Sequence, residues 1–144
     1  MLKIATEEAF SLPEISQELS RICAEGTYTS LDMQLMQLVY GEGRHGENLD
    51  FMTHLQNWDE RLKDMDANGV DMQLLSLTAP GVQMFEPALA VELAQLANDR
   101  LAEQVAAHPD RYAGLASFAP QRPAAAVKEI ERARTKLGLH GLVV

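Results

Sequence analysis

The sequence lacks the features that mark disulfide-bonded and membrane-spanning proteins. It contains one cysteine, Cys23, so no disulfide can form within the chain, and a reducing cytoplasm is the expected location. No apolar run approaches the roughly 18 to 20 residues that a membrane helix needs, and no basic and apolar leader is recognisable. We therefore expect a cytoplasmic protein with no membrane partner.

Positive charge is also scarce. The 144 residues include 12 Lys and Arg against 21 Asp and Glu, which gives a formal net charge of −9. The basic cluster of Arg132, Arg134 and Lys136 belongs to one predicted helix. Because nucleic acids and anionic membranes are bound by basic surfaces, neither is an expected partner. With 47% hydrophobic and 23% charged residues, the composition is that of an ordinary globular domain with a real core.

Short apolar runs alternate with helical patterns along the chain. Strands are predicted at residues 2–5, 70–77, 113–119 and 139–144. Strands that are separated by helices require crossover connections, and these give parallel, right-handed units. The pattern therefore predicts an α/β fold, which is either a small doubly wound sheet or the first half of an eight-stranded (β/α) barrel. The final apolar run has no helix after it, as expected of the first part of a longer protein.

Apolar spacing and turn residues predict the helices and their ends. Ser11 and Glu14 have the spacing of a capping box at the start of the first helix, and Gly26 is expected to end it. Two later helices are expected to open at Pro87 and Pro123. The stripes expected to face the core are Phe51, Leu55, Trp58, Leu62 and Met65 in one helix and Val127, Ile130, Ala133 and Leu137 in another.

Some conspicuous side chains receive structural interpretations. Cys23 lies beside an apolar stripe and is expected to be a small buried thiol. Asn98 lies in the middle of a predicted helix, where it is expected to make a structural contact with a neighbouring loop. Arg61 and the charged residues around it are interpreted as the solvated face of a helix. Asn68 and Gly69 are expected to end that helix.

Residues 27–50 form the least regular part of the chain. A short helix is expected over 31–40, followed by a glycine-rich loop at 41–48. A long insertion in a compact α/β domain is usually a lid, a binding loop or a disordered segment. Arg44 in this loop either stays in solvent or holds an anionic substrate, for which its planar fork is suited. We expect one partial barrel domain over residues 1–144, with an insertion at about 27–50.

Two adjacent carboxylates, Glu7 and Glu8, follow the first strand. Neighbours in an extended segment point to opposite faces, so only one of them can face the interior. A carboxylate at the carboxyl end of a buried parallel strand is where α/β enzymes place their chemistry, although the dipeptide alone is more typical of a solvated loop. The loop after the second strand lies at the same edge of the sheet and contains Thr78 and Gln83, which can form hydrogen bonds.

A series of short motifs carries a family resemblance when their order and spacing are taken together. The motifs are KIATEEAF (3–10), DMDANGVD (64–71), LTAPGVQ (77–83), ANDRLA (97–102), HPDRY (108–112) and LGLHG (137–141). The chain in this respect resembles the metal-dependent, amidohydrolase-related decarboxylases, a group that includes the 5-carboxyvanillate, γ-resorcylate and 2,3-dihydroxybenzoate decarboxylases. The resemblance covers nearly the whole chain except residues 27–50.

The resemblance implies a fold and a metal site. The family fold is a (β/α)8 TIM barrel of more than twice this length, so the chain would supply about its first four strands. Glu7 corresponds to the metal-binding carboxylate of the first strand, and Glu8 becomes its outward neighbour. Many relatives have histidine where this chain has Ala9, which is similar to the carboxyvanillate branch. The cofactor implied is a divalent ion, Mn or Zn, whose remaining ligands would come from later strands.

The resemblance also implies an activity. The implied reaction is non-oxidative decarboxylation of a hydroxylated aromatic carboxylic acid. For this reaction Thr78 is expected to line the pocket. Arg44, which lies in the segment that the resemblance does not cover, is expected to bind the substrate carboxylate. These 144 residues alone are expected to be inactive, because one ligand cannot hold a catalytic metal. The alternatives are a hydrolase or hydratase of the same superfamily, or a non-catalytic half-barrel that pairs to hide its open sheet edge. A homo-oligomer is expected.

Overall fold

The computed structural model describes residues 1–26, 31–40 and 52–143, except for the side chain of residue 33. Strands and helices alternate along most of this part of the chain. In order, the elements are β1 (Ile4–Phe10), α1 (Pro13–Glu25), α2 (Leu31–Tyr40), α3 (Trp58–Asn68), β2 (Met72–Leu77), α4 (Pro87–Ala107), β3 (Tyr112–Ala116), α5 (Pro123–Thr135) and β4 (Gly141–Leu142). None of the described helices is both long and apolar enough to cross a bilayer.

The four described strands form one parallel sheet in the order β1-β2-β3-β4. Each strand therefore lies beside its neighbour in sequence, and at least one helix connects each pair. A doubly wound sheet reverses its strand order at a switch point, whereas a (β/α) barrel does not. The order confirms the prediction of an α/β fold that corresponds to the first strands of a barrel.

One face of the sheet is buried against the helices. Along β2 and β3 every second residue is buried, and the residues between them are only half-buried. Gly114 of β3 belongs to the buried set, and a Cβ atom there would lie 2.8 Å from side-chain atoms of both Leu101 and Leu139. The missing side chain lets α4 pack close to the sheet. The half-buried face is the one that would line a barrel interior.

The helix α3 is shorter than its apolar stripe predicts. The stripe begins at Phe51, which lies outside the described residues, but the helix begins at Trp58. It begins there because the Asn57 side chain caps it, accepting a hydrogen bond from the Glu60 N–H at 3.2 Å. The end is as predicted, since Gly69 adopts the left-handed conformation with φ of 64°.

The predicted capping box of α1 is wrong. Leu12 is the N-cap residue and makes no side-chain capping bond, and Ser11 is fully buried. The Ser11 N–H donates instead to the Leu55 carbonyl at 3.1 Å, so Ser11 joins β1 to the segment before α3. The helix still ends at Gly26, as predicted, with φ of 70°.

The face that α5 presents to the core matches the predicted one only in part: Ala133 is buried as predicted, together with Ala126 and Glu129. Val127 was expected to be buried, but it is 57% exposed, whereas Glu129 is only 3% exposed. Glu129 can be buried because its carboxylate accepts hydrogen bonds from Asn98 and Arg132. The orientation of α5 therefore follows a polar network with α4, which the apolar pattern does not reveal.

Candidate active site

A cleft of about 320 Å³ opens at the carboxyl-terminal ends of β1, β2 and β3. Parallel α/β folds place ligands at this edge of the sheet. Residues from each strand and from the loops that follow β2 and β3 line it. They are Thr6, Glu7, Ala9, Ser76, Leu77, Thr78, Ala79, Pro80, Gly81, Val82, Gln83, Leu115, Ser117, Phe118, Pro120 and Val143.

A bulge in β1 turns Glu7 into this cleft. Ala5 pairs with Gln73 and Glu8 pairs with Leu75, so Thr6 and Glu7 together lie opposite Leu74 alone. An extra residue of this kind shifts the alternation of the strand and re-aims the side chains beside it. Both bulged residues line the cleft, together with Ala9. Without the shift, strict alternation from Thr6 would bring Glu8 to the cleft side instead.

The Glu7 side chain is available to a ligand. It is exposed and, within the described residues, makes no hydrogen bond or ion pair. A carboxylate without a donor fits a hard divalent cation, which prefers oxygen ligands. The same described residues contain no group of three or more His, Cys, Asp or Glu side chains placed to hold a metal ion. Glu7 thus fits a metal centre as one ligand of a larger set.

Glu8 points to the opposite side of the sheet, as predicted, where it approaches Arg61. The Glu8 carboxylate lies 3.7 Å from the Arg61 guanidinium, which also donates to the Ala9 carbonyl at 2.6 Å. Arg61 is buried, so its interpretation as part of a solvated face is wrong. It lies three residues after Trp58 and four before Met65, and this helical spacing on the apolar stripe is the signal that could have revealed it.

Burial determines the protonation behaviour around Arg61. Burial lowers the pKa of the Arg61 guanidinium, and the neighbouring Tyr112 and Glu8 oppose that shift. Arginine nonetheless remains charged at neutral pH. Burial likewise raises the pKa of Tyr112, and Arg61 opposes that shift. The buried side of the β1 bulge therefore holds a desolvated cation beside a neutral phenol.

The loop after β2 is fixed to its surroundings. The Thr78 N–H donates to the Phe10 carbonyl at 2.9 Å, which ties the loop to the end of β1. The Gln121 side-chain amide donates to the carbonyls of Val82, Gln83 and Phe85 at 3.1, 3.3 and 3.0 Å. These bonds hold Thr78 at the cleft wall, where it meets the same cavity as Glu7.

The end of β3 is held by Asn98. Its side chain donates to the Ser117 carbonyl and accepts from the Ser117 N–H, both at 2.8 Å, and also donates to Glu129 at 2.7 Å. The expectation of a structural contact for Asn98 is thereby confirmed. Ser117 lines the cleft, so the network between α4 and α5 fixes the third wall of the site. Arg132 belongs to the same network because it donates hydrogen bonds to Glu129. These bonds raise the Arg132 pKa above its usual range.

The structure brings two of the residues predicted from sequence to one site. Glu7 and Thr78 line the same cleft, whereas Arg44 lies outside the described residues. Sequence reasoning did not identify Ser76 and Ser117 as cleft residues or Arg61 as a buried contact of β1. Ser76 could have been found from the alternation of β2, since it lies two residues before Thr78.

Comparison with known proteins shows the family of the chain. Residues 50–144 match the family model described as Amidohydrolase. The chain is 34% identical over 143 residues to the γ-resorcylate decarboxylase of Rhizobium radiobacter, covering 99% of this chain and 38% of that protein. The chain therefore spans about two-fifths of the length of the curated relatives that it matches.

Solved structures give the same result at higher identity. The 5-carboxyvanillate decarboxylase of Sphingomonas paucimobilis is 48% identical with a TM-score of 0.88, and the match covers 99% of this chain and 42% of that one. The same enzyme from Novosphingobium aromaticivorans, in complex with manganese and 4-hydroxy-3-methoxy-5-nitrobenzoic acid, is 36% identical with a TM-score of 0.88, over 98% of this chain and 40% of that one. This chain belongs to the amidohydrolase family, and its sheet corresponds to the first strands of the barrel of these decarboxylases.

Proposed function

We propose that this chain supplies the first part of the active site of a metal-dependent decarboxylase acting on a hydroxylated aromatic carboxylic acid. The observation that carries the proposal is the Glu7 carboxylate, which the β1 bulge turns into the cleft and which no described donor occupies. The 48% identity to a 5-carboxyvanillate decarboxylase supports this class of substrate.

The metal in this proposal is a divalent ion, and Glu7 is one of its ligands. Manganese is the first candidate because solved relatives at 36% and 33% identity contain it, and zinc is the alternative. A bound divalent ion would supply positive charge that orients an anionic substrate and stabilises charge as the reaction proceeds. The remaining ligands would come from outside the described residues.

The described side chains give the cleft a chemistry that suits an aromatic acid. Leu115, Phe118 and Val143 offer apolar surface for a ring, and the Thr78 hydroxyl can donate a hydrogen bond to a carboxylate or a phenolic oxygen. Because hydrogen bonds to Phe10 and Gln121 hold the backbone of the loop, Thr78 is kept beside the end of β1. In the proposal, these residues position the substrate against the metal ligand.

Further parts of the proposal concern the whole protein. Arg44 binds the substrate carboxylate from the insertion at about 27–50 of a single partial barrel domain, and the protein is a cytoplasmic homo-oligomer. Small aromatic acids are its partners, and nucleic acids and membranes are not, because the net charge is −9.

The test uses the complete protein that carries this sequence. Purified with added Mn²⁺, it is expected to release CO2 from 5-carboxyvanillate or 2,6-dihydroxybenzoate. Glu7→Gln is expected to lower kcat by at least about 100-fold, since a neutral amide is a poor ligand for a hard cation. Glu92→Gln, which alters an exposed carboxylate on α4, is the matched control and should keep full activity. Unchanged CO2 release in Glu7→Gln would remove the basis of the proposal.

Hydrolysis is the second candidate, because the matching family model is described as Amidohydrolase. A fold and a first metal ligand do not determine the reaction. The same preparation should therefore be assayed with aryl esters and amides. Product formation from these, without CO2 release from any aromatic acid, would favour the hydrolase.

A further inference from the structure

We propose that Arg61 is a positioning residue for Glu7, and that its guanidinium holds the β1 bulge from the helix side of the sheet so that the Glu7 carboxylate points into the cleft. The inference rests on the proposed function, because it takes Glu7 as the metal ligand. It concerns a residue that does not line the cleft and that acts through its contacts with β1 and with Gln73 of β2.

The contacts of Arg61 lie on both sides of the bulge. One terminal nitrogen donates to the Ala9 carbonyl at 2.6 Å, two residues after Glu7. The other donates to the Gln73 side chain at 3.1 Å, and Gln73 is the β2 residue that pairs with Ala5, two residues before Glu7. One planar guanidinium therefore contacts both the β2 residue that pairs with β1 before the bulge and the β1 backbone after the bulge.

The bulge needs support from Arg61 because the extra residue interrupts the regular pairing between β1 and β2. Pairing between β1 and β2 passes from Ala5 directly to Glu8, so Thr6 and Glu7 have only Leu74 opposite them. A slip of one residue would restore regular alternation and exchange the faces of Glu7 and Glu8. Arg61 opposes that slip twice, because it binds the Ala9 carbonyl and lies 3.7 Å from the Glu8 carboxylate on the helix side.

The guanidinium is itself held in place. The Trp58 ring centre lies 5.8 Å from the Arg61 guanidinium carbon, and the same ring packs 5.6 Å from Phe10, the last residue of β1. The Arg61 side chain is only 8% exposed, so its two terminal nitrogens are shielded from water. Hydrogen bonds from such a buried cation are stronger than those at the surface. Because the guanidinium is held in this way, it restrains the part of the β1 backbone to which it donates.

The experiment measures Mn²⁺ binding to the complete protein, independently of turnover. Free Mn²⁺ is followed by electron paramagnetic resonance during titration of the wild type, Glu7→Gln, Arg61→Met and Arg61→Lys, and each Tm is recorded. Loss of a residue that orients a ligand typically weakens metal binding on the order of 10-fold to 100-fold, and we expect this for Arg61→Met. Arg61→Lys keeps the charge but cannot bridge Ala9 and Gln73, so its affinity should also fall.

Arg111→Met is the matched control. Arg111 likewise donates to backbone carbonyls, those of Asp71 and Val70 at 3.0 and 3.3 Å, but it does so at the amino-terminal end of β2, away from the cleft. It should lower Tm and leave the Mn²⁺ affinity unchanged. If it weakens Mn²⁺ binding as much as Arg61→Met does, the effect is general destabilisation and the inference is wrong.

The outcomes separate the inference from the function on which it rests. If Glu7→Gln binds Mn²⁺ as the wild type does, the proposed metal site itself is wrong. If Glu7→Gln loses Mn²⁺ but both Arg61 variants retain wild-type affinity, only the inference is overturned. If Arg61→Met does not fold, Arg61→Lys decides the question: weakened binding in a folded protein supports the role, and unchanged binding refutes it.

Discussion

At the scale of single residues, the direction of Glu7 depends on one extra residue in β1. Alternation along a strand was enough to predict that Glu7 and Glu8 face opposite sides, and they do. Which of them faces the cleft could not be derived from alternation, because the bulge between Ala5 and Glu8 shifts the pattern. The bulge is supported by Arg61, a contact about 50 positions away in sequence, so local patterns do not reveal it.

The buried Asn98 should be among the most sensitive residues for stability. Asn98→Ala removes both hydrogen bonds to the Ser117 backbone and one to Glu129, leaving buried polar groups unsatisfied. We expect a loss of about 3 kcal/mol in the free energy of unfolding, measured by urea denaturation. Gln95→Ala alters an exposed side chain on the same helix and should change it by less than about 0.5 kcal/mol. Equal effects of the two changes would contradict this assignment.

Tyr112 should behave in the opposite way. Its hydroxyl is buried and has no hydrogen-bond partner among the described residues, while its ring packs against Trp58. Tyr112→Phe removes the unsatisfied group and keeps the ring, so the free energy of unfolding should rise by about 1 kcal/mol at neutral pH. Urea denaturation measures the change, and a loss of stability would show that the hydroxyl has a favourable contact.

Ionisation of the Tyr112 phenol should make the free energy of unfolding depend on pH. Burial raises the Tyr112 pKa above its ordinary value of 10.0, so the unfolded chain loses this proton at a lower pH than the folded protein does. The stability contributed by the neutral phenol is therefore complete below the ordinary pKa and is lost as pH rises towards the folded-state pKa. The decline in unfolding free energy above about pH 10 should be shallower in Tyr112→Phe than in the wild type. Parallel curves would contradict the raised pKa.

At the scale of elements, the existence of the strands and the starts of two proline-initiated helices could be predicted, but the capping of α1, the start of α3 and part of the buried face of α5 could not. The starts at Pro87 and Pro123 are local signals, and the structure confirms them. The first apolar run gave a strand but not its bounds, since β1 spans Ile4–Phe10 rather than 2–5. The start of α3 depends on the Asn57 cap, and the buried face of α5 depends on Glu129 meeting Asn98 of another helix. Such contacts exist only after the elements pack, so periodicity alone placed Ala133 correctly in the core but also placed Val127 there, which is exposed.

The contact between α4 and the sheet offers a test at this scale. A side chain at Gly114 would lie 2.8 Å from both Leu101 and Leu139, so Gly114→Ala should lower the free energy of unfolding by about 1–3 kcal/mol through overpacking. Gly141→Ala is the milder control, because its Cβ would lie 3.2 Å from a single Leu115 atom. If Gly114→Ala is as stable as the wild type, α4 lies farther from β3 than described.

At the scale of the whole molecule, one side of α2 exposes large apolar side chains. Leu31, Leu35 and Leu38 are 79%, 55% and 49% exposed and lie on one side of α2. A set of exposed leucines on one helix side is typical of an interaction surface. We expect this stripe to contact a second copy of the chain in the proposed homo-oligomer.

Sedimentation velocity can measure that association. Leu35→Lys places a charge in the centre of the stripe and should shift the complete protein towards the monomer. Val127→Lys alters an exposed apolar residue on α5 and should leave the oligomeric state unchanged. A sedimentation coefficient unaffected by Leu35→Lys would exclude α2 as the contact.

The central claim is that Glu7 is a metal ligand in a decarboxylase of the amidohydrolase family. The most direct measurement is anomalous diffraction at the manganese edge from crystals of the complete protein grown with Mn²⁺. If Glu7 is a metal ligand, an anomalous peak is expected within coordination distance of a Glu7 carboxylate oxygen, at the cleft shared with Thr78. A peak elsewhere, with the Glu7 side chain turned out of the cleft, would contradict it.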